Sequence, residues 1–161
     1  MFPESELKNF CCCFTGHRPE KLAVSELEVK TALESKIQVA IRDGYQTFIS
    51  GMARGVDIWA AEIVLRLRDE GQPIRLVCAS PYEGFQKRWS AEWQTRYQRI
   101  MAAADLVRYI SSGYHPACFQ IRNEWMVDHS SRVIAVYNGS SGGTRNTLEY
   151  AAAKGVSIVQ I

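Results

Sequence analysis

Three short stretches combine glycine, hydroxyl and charge in ways that could hold a ligand. They are TGHRP from Thr15 to Pro19, SGMARGVD from Ser50 to Asp57, and NGSSGGT from Asn138 to Thr144. Gly142 and Gly143 allow close approach to the backbone, and the first turn of a helix beginning there offers N–H groups without partners. That chemistry suits an anion, phosphate above all. Thr144 and Thr147 add hydroxyl donors, and Arg18 adds a planar guanidinium fork for phosphate or carboxylate. Gly16 stands beside Arg18 on the opposite side. Ser50 and Gly51 end an apolar run, and Asp57 follows at the start of the next helix, where a carboxylate can accept from a ribose or a base. A tight turn would also use Gly51, a helix cap would also use Asp57, and a surface ion pair would also use Arg18. Their joint placement is what favours a site.

That placement depends on the elements. Apolar runs alternate with helical patterns along the whole chain. Strands are expected over residues 10–15, 46–50, 74–79, 106–111, 133–137 and 156–161. The first helix opens on Ser25 with Glu28 three residues on, carries Val29, Leu33, Ile37, Ala40 and Ile41 on one stripe, and stops at Gly44. Further helices are expected over 57–70, 85–104, 120–129 and from the glycines at 142–143 to Gly155. The runs CCCF, IRLVCA and VIAVY are nearly continuous in apolar residues, as strands buried on both faces should be. The expected fold is α/β, one doubly wound domain over residues 1–161. It has a mostly parallel sheet of about six strands, helices on both faces, and a strand order of 4-3-2-1-5-6. In such a sheet ligands bind beyond the carboxyl ends of the strands, where the order reverses. The three stretches fall at those ends, whereas Gly44, Gly71 and Gly155 at the other ends read as ordinary helix stops.

Composition and motifs narrow the chemistry. The formal net charge of +2 does not mark a nucleic-acid binder. No apolar run reaches the roughly 18 residues of a membrane span. The N-terminus, MFPESELKNF, is polar and acidic, so a cytoplasmic location is expected. The five cysteines include no C-x-x-C pair and the three histidines lack ligand spacing; no metal and no cofactor are expected, and the thiols read as small buried residues. GSSGG matches a nucleophile-elbow pattern, but neither Asp nor His follows Ser141, so that chemistry is excluded. There is no G-x-x-x-x-G-K-[ST] and no G-x-G-x-x-G. Trp89, Trp93 and Tyr97 recur every four residues; a core or interface face accounts for them, with base stacking as the alternative. The RNEWM segment, Arg122 to Met126, adds Arg122 and Asn123 as ligand contacts if its helix also reaches the site.

FTGHRP, SGMARGVD, RNEWM and GGTRNTLEYA, in that order, resemble the YpsA-like family of the SLOG superfamily over about residues 10–161. That superfamily also holds the DNA-processing protein DprA and the LOG phosphoribohydrolases. SGMARGVD is similar to the DprA signature S-G-x-A-x-G-x-D. The resemblance implies a Rossmann-like fold and a nucleotide-derived ligand. LOG enzymes carry R-K-x-x-M and P-G-G-x-G-T-x-E-E segments. Arg122 and Met126 match the first, with Asn123 in place of its lysine. Gly142, Gly143, Thr147 and Glu149 align with the second, without its proline and with Tyr150 in place of its second glutamate. In that family an Arg and a Glu of these segments support cleavage of an N-glycosidic bond, so Arg122 and Glu149 become the catalytic candidates if the chain is an enzyme.

The primary expectation is binding of a nucleotide-like small molecule through Gly16, Arg18, Ser50, Gly51, Asp57, Asn123, Gly142, Gly143, Thr144 and Thr147. The alternatives are nucleoside monophosphate phosphoribohydrolase activity through Arg122 and Glu149, and single-stranded DNA binding of the DprA type, ranked last for lack of charge. A homo-oligomer, a dimer, is expected from the apolar last strand.

Overall fold

The computed structural model describes residues 7–161. Six strands form one parallel sheet: β1 (Cys11–Gly16), β2 (Thr47–Ser50), β3 (Arg75–Ser80), β4 (Leu106–Tyr109), β5 (Arg132–Val136) and β6 (Ser157–Gln160). Their order is β4-β3-β2-β1-β5-β6, the order expected from the alternating pattern. Five α-helices connect them: α1 (Glu26–Arg42), α2 (Val56–Asp69), α3 (Ala91–Ala103), α4 (Cys118–Asp128) and α5 (Gly143–Ala153). The architecture is α/β and Rossmann-like.

Strand alternation sorts the core into two layers. Cys12, Phe14, Phe48, Leu76 and Cys78 pack on the face covered by α1, α2 and α3, against Leu33, Ile37, Ile58 and Ile100. Their neighbours Cys13, Ile49, Val77 and Ala79 point the other way, onto Met126, Val127, Leu148 and Ala151 of α4 and α5. Both faces are therefore covered, which is why the strands read as unbroken apolar runs. The chain builds outward from β1 through β2, β3 and β4, then returns to the other side of β1 with β5, so the loops after β1 and β5 diverge around one crevice. The cysteines are unpaired and, apart from half-buried Cys11, fully enclosed; burial pushes the Cys13 and Cys78 thiols up to about 12.

Most expected boundaries differ by one or two residues. The helix expected over 85–104 is the exception. It begins only at Ala91, because Ser90 is extended (φ −61°, ψ 159°) and its Oγ accepts the Trp93 N–H at 3.4 Å. Before it, the chain turns through short three-residue loops, Lys87 N–H to Gly84 C=O and Trp89 N–H to Gln86 C=O, each 3.0 Å. Trp89 thus stands outside the helix but still meets Tyr97 edge-on at 5.5 Å. Trp93 packs on Trp59, and the buried Tyr97 hydroxyl bonds Ser80 Oγ at 2.8 Å, so Trp93 and Tyr97 belong to the core. The fourth helix starts earlier than expected, at Cys118 instead of 120, after a turn closed by Cys118 N–H on His115 C=O. Among the described residues no helix is long and apolar enough to cross a membrane.

Candidate functional site

Beyond the carboxyl ends of β1, β2 and β5 lies a cleft of about 200 Å³. Gly16, His17, Arg18 and Lys21 supply one wall, and Ala53 and Asp57 the floor. Phe119, Arg122, Asn123 and Met126 come from α4, and Ser141 to Thr144 from the start of α5. Three helices therefore begin at this cleft. The first residues outside them, Gly55 of α2, Ala117 of α4 and Gly142 of α5, supply no side-chain cap. The other two helices, α1 and α3, are capped by Ser25 and Ser90. An uncapped helix start presents donors and the positive end of the helix dipole. Gly142 holds φ at +135°, a conformation L side chains rarely adopt, and so turns the chain out of β5 into α5.

Two charged side chains are buried at the centre of the cleft. Arg122 is 5% exposed and Asp57 is 6% exposed. The Arg122 Nε donates to Asn123 Oδ1 at 2.8 Å, and its Nη1 donates to the Gly51 carbonyl. Asp57 Oδ2 accepts the Ala53 N–H at 3.3 Å, while Oδ1 is buried without a partner among the described residues. Burial pushes the Asp57 carboxyl up to about 6, against the opposing pull of the Arg122 guanidinium and the Ala53 N–H. Burial likewise lowers the Arg122 pKa, with Asp57 opposing. His17 is pinned as an acceptor: the Asn138 N–H donates to its Nε2 at 3.1 Å, and its ring lies on Tyr137. Burial, then Lys21, lowers its pKa. Among the described residues, Asp57 is the one acidic residue on walls that also carry Arg18, Lys21 and Arg122.

Of the residues expected from the sequence, Gly16, Arg18, Asp57, Arg122, Asn123, Gly142, Gly143 and Thr144 come together here. Four do not line the cleft. Ser50 is buried beneath it; its Oγ donates to the Asp57 carbonyl at 2.8 Å and accepts the Met52 N–H at 3.2 Å. That bond helps hold Met52, a buried side chain at φ +64°, in the left-handed region. Gly51 lies beneath Asp57 and Arg122: a Cβ there would come within 2.9 Å of Asp57 Oδ2 and 3.1 Å of Arg122 Nε, so this glycine leaves room for both side chains. The Thr147 hydroxyl donates back to the Gly143 carbonyl at 2.8 Å, inside the helix. Glu149 faces away on α5, exposed and paired with Arg145 at 3.0 Å. His17, Lys21 and Phe119 line the cleft without having been singled out; TGHRP carried His17, and Phe119 stands in the first turn of α4. Among the described residues no three of His, Cys, Asp or Glu gather as metal ligands.

The comparisons with known proteins agree with this frame. The model of the YspA SLOG family matches residues 12–157. The SPbeta prophage-derived protein YoqJ of Bacillus subtilis is 37% identical over 138 residues, covering 78% of this chain and 81% of the relative. A UPF0398 protein of Bacillus thuringiensis is 26% identical over 148 residues, covering 87% and 80%. The solved structure of DNA processing protein A (DprA) from Streptococcus pneumoniae is similar in fold, with a TM-score of 0.69 at 19% identity over 96% of this chain and 50% of that one. DprA from Helicobacter pylori, described for its single-stranded DNA binding mode, gives 0.65 at 17%, over 98% and 66%. This chain thus spans half the length of the first. With its family signature running nearly end to end, the chain belongs to the YspA SLOG family.

Proposed function

We propose that this chain binds a nucleotide or nucleotide-derived ligand in the cleft beyond β1, β2 and β5. The observation that supports it best is the meeting of three helix starts without side-chain caps around buried Arg122 and buried Asp57, whose Oδ1 has no partner among the described residues. In this reading Gly142, Gly143 and Thr144 hold the phosphate at α5, and Arg18 and Gly16 close over it from β1. Asp57 accepts from a sugar hydroxyl, and Arg122 with Asn123 orients the group between them. Ser50, Gly51 and Thr147 act indirectly, by fixing the loop and helix that carry these contacts. The hydrolytic alternative assigned the carboxylate role to Glu149, which is exposed, paired with Arg145 and off the cleft, so binding or sensing is favoured over cleavage by that residue. Single-stranded DNA binding keeps one argument, the fold shared with DprA.

The test is native mass spectrometry after incubation with nucleoside mono- and diphosphates. One intact nucleotide per chain is the expected result. Free base with ribose phosphate would move the chain to the enzymatic reading, and retention of nothing would defeat the binding reading. Arg18→Ala then checks the site. The Arg18 side chain is 55% exposed and its ion pair among the described residues is a long one, with Glu20 at 3.8 Å, so its loss leaves the melting temperature nearly unchanged. Nucleotide affinity should fall about tenfold, as for a lost charged hydrogen bond. Calorimetric titration beside a thermal melt reads both.

A further inference from the structure

A side pocket of about 390 Å³ adjoins the cleft and shares Arg18, Ala53, Phe119 and Arg122 with it. Its remaining walls are Arg54, Phe85 and Trp89. These rings belong to a larger cluster. Phe119 meets Phe85 at 5.7 Å, Tyr82 at 6.4 Å and Tyr114 at 6.3 Å, and Phe85 meets Trp89 edge-on at 5.0 Å. The cluster is not closed to solvent: Phe119 is 37% exposed and Tyr114 is 66% exposed. Arg54 reaches the same space from the loop before α2, half-buried and paired with Glu20 at 3.3 Å. The segment 82–89 and the loop before α4 thus bring aromatic rings to the mouth of a site whose other end is cationic and polar.

We infer that this side pocket takes the nucleobase of the ligand, a deeper reading that rests on nucleotide binding in the main cleft. Gly51 is unavailable for the base, because Asp57 and Arg122 occupy the space above it. The phosphate end of the cleft is built of glycine, threonine and N–H groups, which offer a base nothing to stack on. The side pocket offers both partners of a planar π-system, ring faces and guanidinium groups. Because the two spaces share four residues, a single ligand reaches from one into the other. Phe119 stands on both linings and is the pivotal residue.

The experiment is calorimetric titration of the full chain with AMP, GMP, CMP, UMP and ribose 5-phosphate. At least one nucleotide should bind roughly 5- to 150-fold more tightly than ribose 5-phosphate, the span of one base–aromatic stack. Phe119→Leu keeps apolar volume but removes the π-face. It should erase that advantage, bringing the affinity of every nucleotide down to that of ribose 5-phosphate measured on the same variant. Phe119→Tyr should restore the advantage. Equal affinity for nucleotides and ribose 5-phosphate would overturn this inference and leave the main cleft standing, and so would a Phe119→Leu variant that keeps the full advantage or that weakens all probes alike. No binding of any of the five would overturn the nucleotide reading and this one together.

Discussion

Asp57 is the residue whose chemistry the fold alters most directly. It sits in the first turn of α2 with Oδ1 buried and unpartnered, and its carboxyl is pushed up from 3.8 to about 6 by burial. The folded chain therefore holds this proton more tightly than the unfolded chain does. The stabilisation that follows is complete below about pH 4 and is lost as pH rises through about 6, so at pH 7 an ionised Asp57 costs the fold while it faces Arg122. In urea titrations from pH 4 to 7, the unfolding free energy of the wild type minus that of Asp57→Asn should fall by roughly 2 kcal/mol. A flat difference would mean that Asp57 ionises like an ordinary surface carboxylate. Most residues of the cleft were readable from the sequence as glycine, hydroxyl and charge at strand ends. Glu149 was not placed correctly, because it was taken from a motif and not from helical phase. On α5, Thr144, Thr147, Leu148 and Ala151 form the buried face, and Glu149, two positions after Thr147, falls on the exposed side with Arg145. Phe119 was passed over because nothing in a sequence ties an aromatic stretch after the fourth strand to glycines after the first and fifth.

At the level of elements, two glycines separate fold from site. Gly16 ends β1 where α2 begins against it; a Cβ there would lie 2.5 Å from Val56 Cβ. Val56 is the first residue of α2 and β-branched, so it cannot swing aside. Gly16→Ala should move α2 off the sheet and cost about 1–3 kcal/mol, read as a lower melting temperature. Gly142 has nothing within 4 Å of its Cβ position, only its positive φ. Gly142→Ala should lower the melting temperature less than Gly16→Ala does, yet abolish retention of a nucleotide by misaiming the first turn of α5. Equal losses of stability in both would place Gly142 with the scaffold. The strand order was legible because each right-handed crossover moves the chain one strand along and the glycine-rich turns mark where it doubles back. The start of α3 was not, because the aromatic spacing from Trp89 through Trp93 to Tyr97 runs on without a break while the backbone turns sharply before Ser90. A side-chain cap outweighed a repeat of apolar residues.

Across the whole molecule, some cations have two acidic partners while those near the cleft share one. On the α1–α2–α3 face, Arg96 is held by Glu62 and Glu26, and Lys30 by the same two acids. At the cleft, Arg18 and Arg54 share the single Glu20, and Lys21 stands with them. This local surplus suffices for one phosphate-bearing ligand and is small for a strand. The two cases differ in how they respond to salt. A mononucleotide carries no condensed counterion atmosphere, so raising salt screens its contacts only, and its affinity should fall by less than about tenfold between 50 and 500 mM. A strand laid over Arg18, Lys21 and Arg54 would release counterions, giving a slope of about −2 in log affinity against log salt for three phosphates. Fluorescence anisotropy with a labelled mononucleotide and a labelled oligothymidylate measures both slopes on the same protein. Saturable, weakly salt-dependent binding of the mononucleotide with no comparable binding of the strand is expected here. Tighter binding of the strand, with the steeper slope, would mean that the cleft and its aromatic rim serve as one station on a nucleic-acid path.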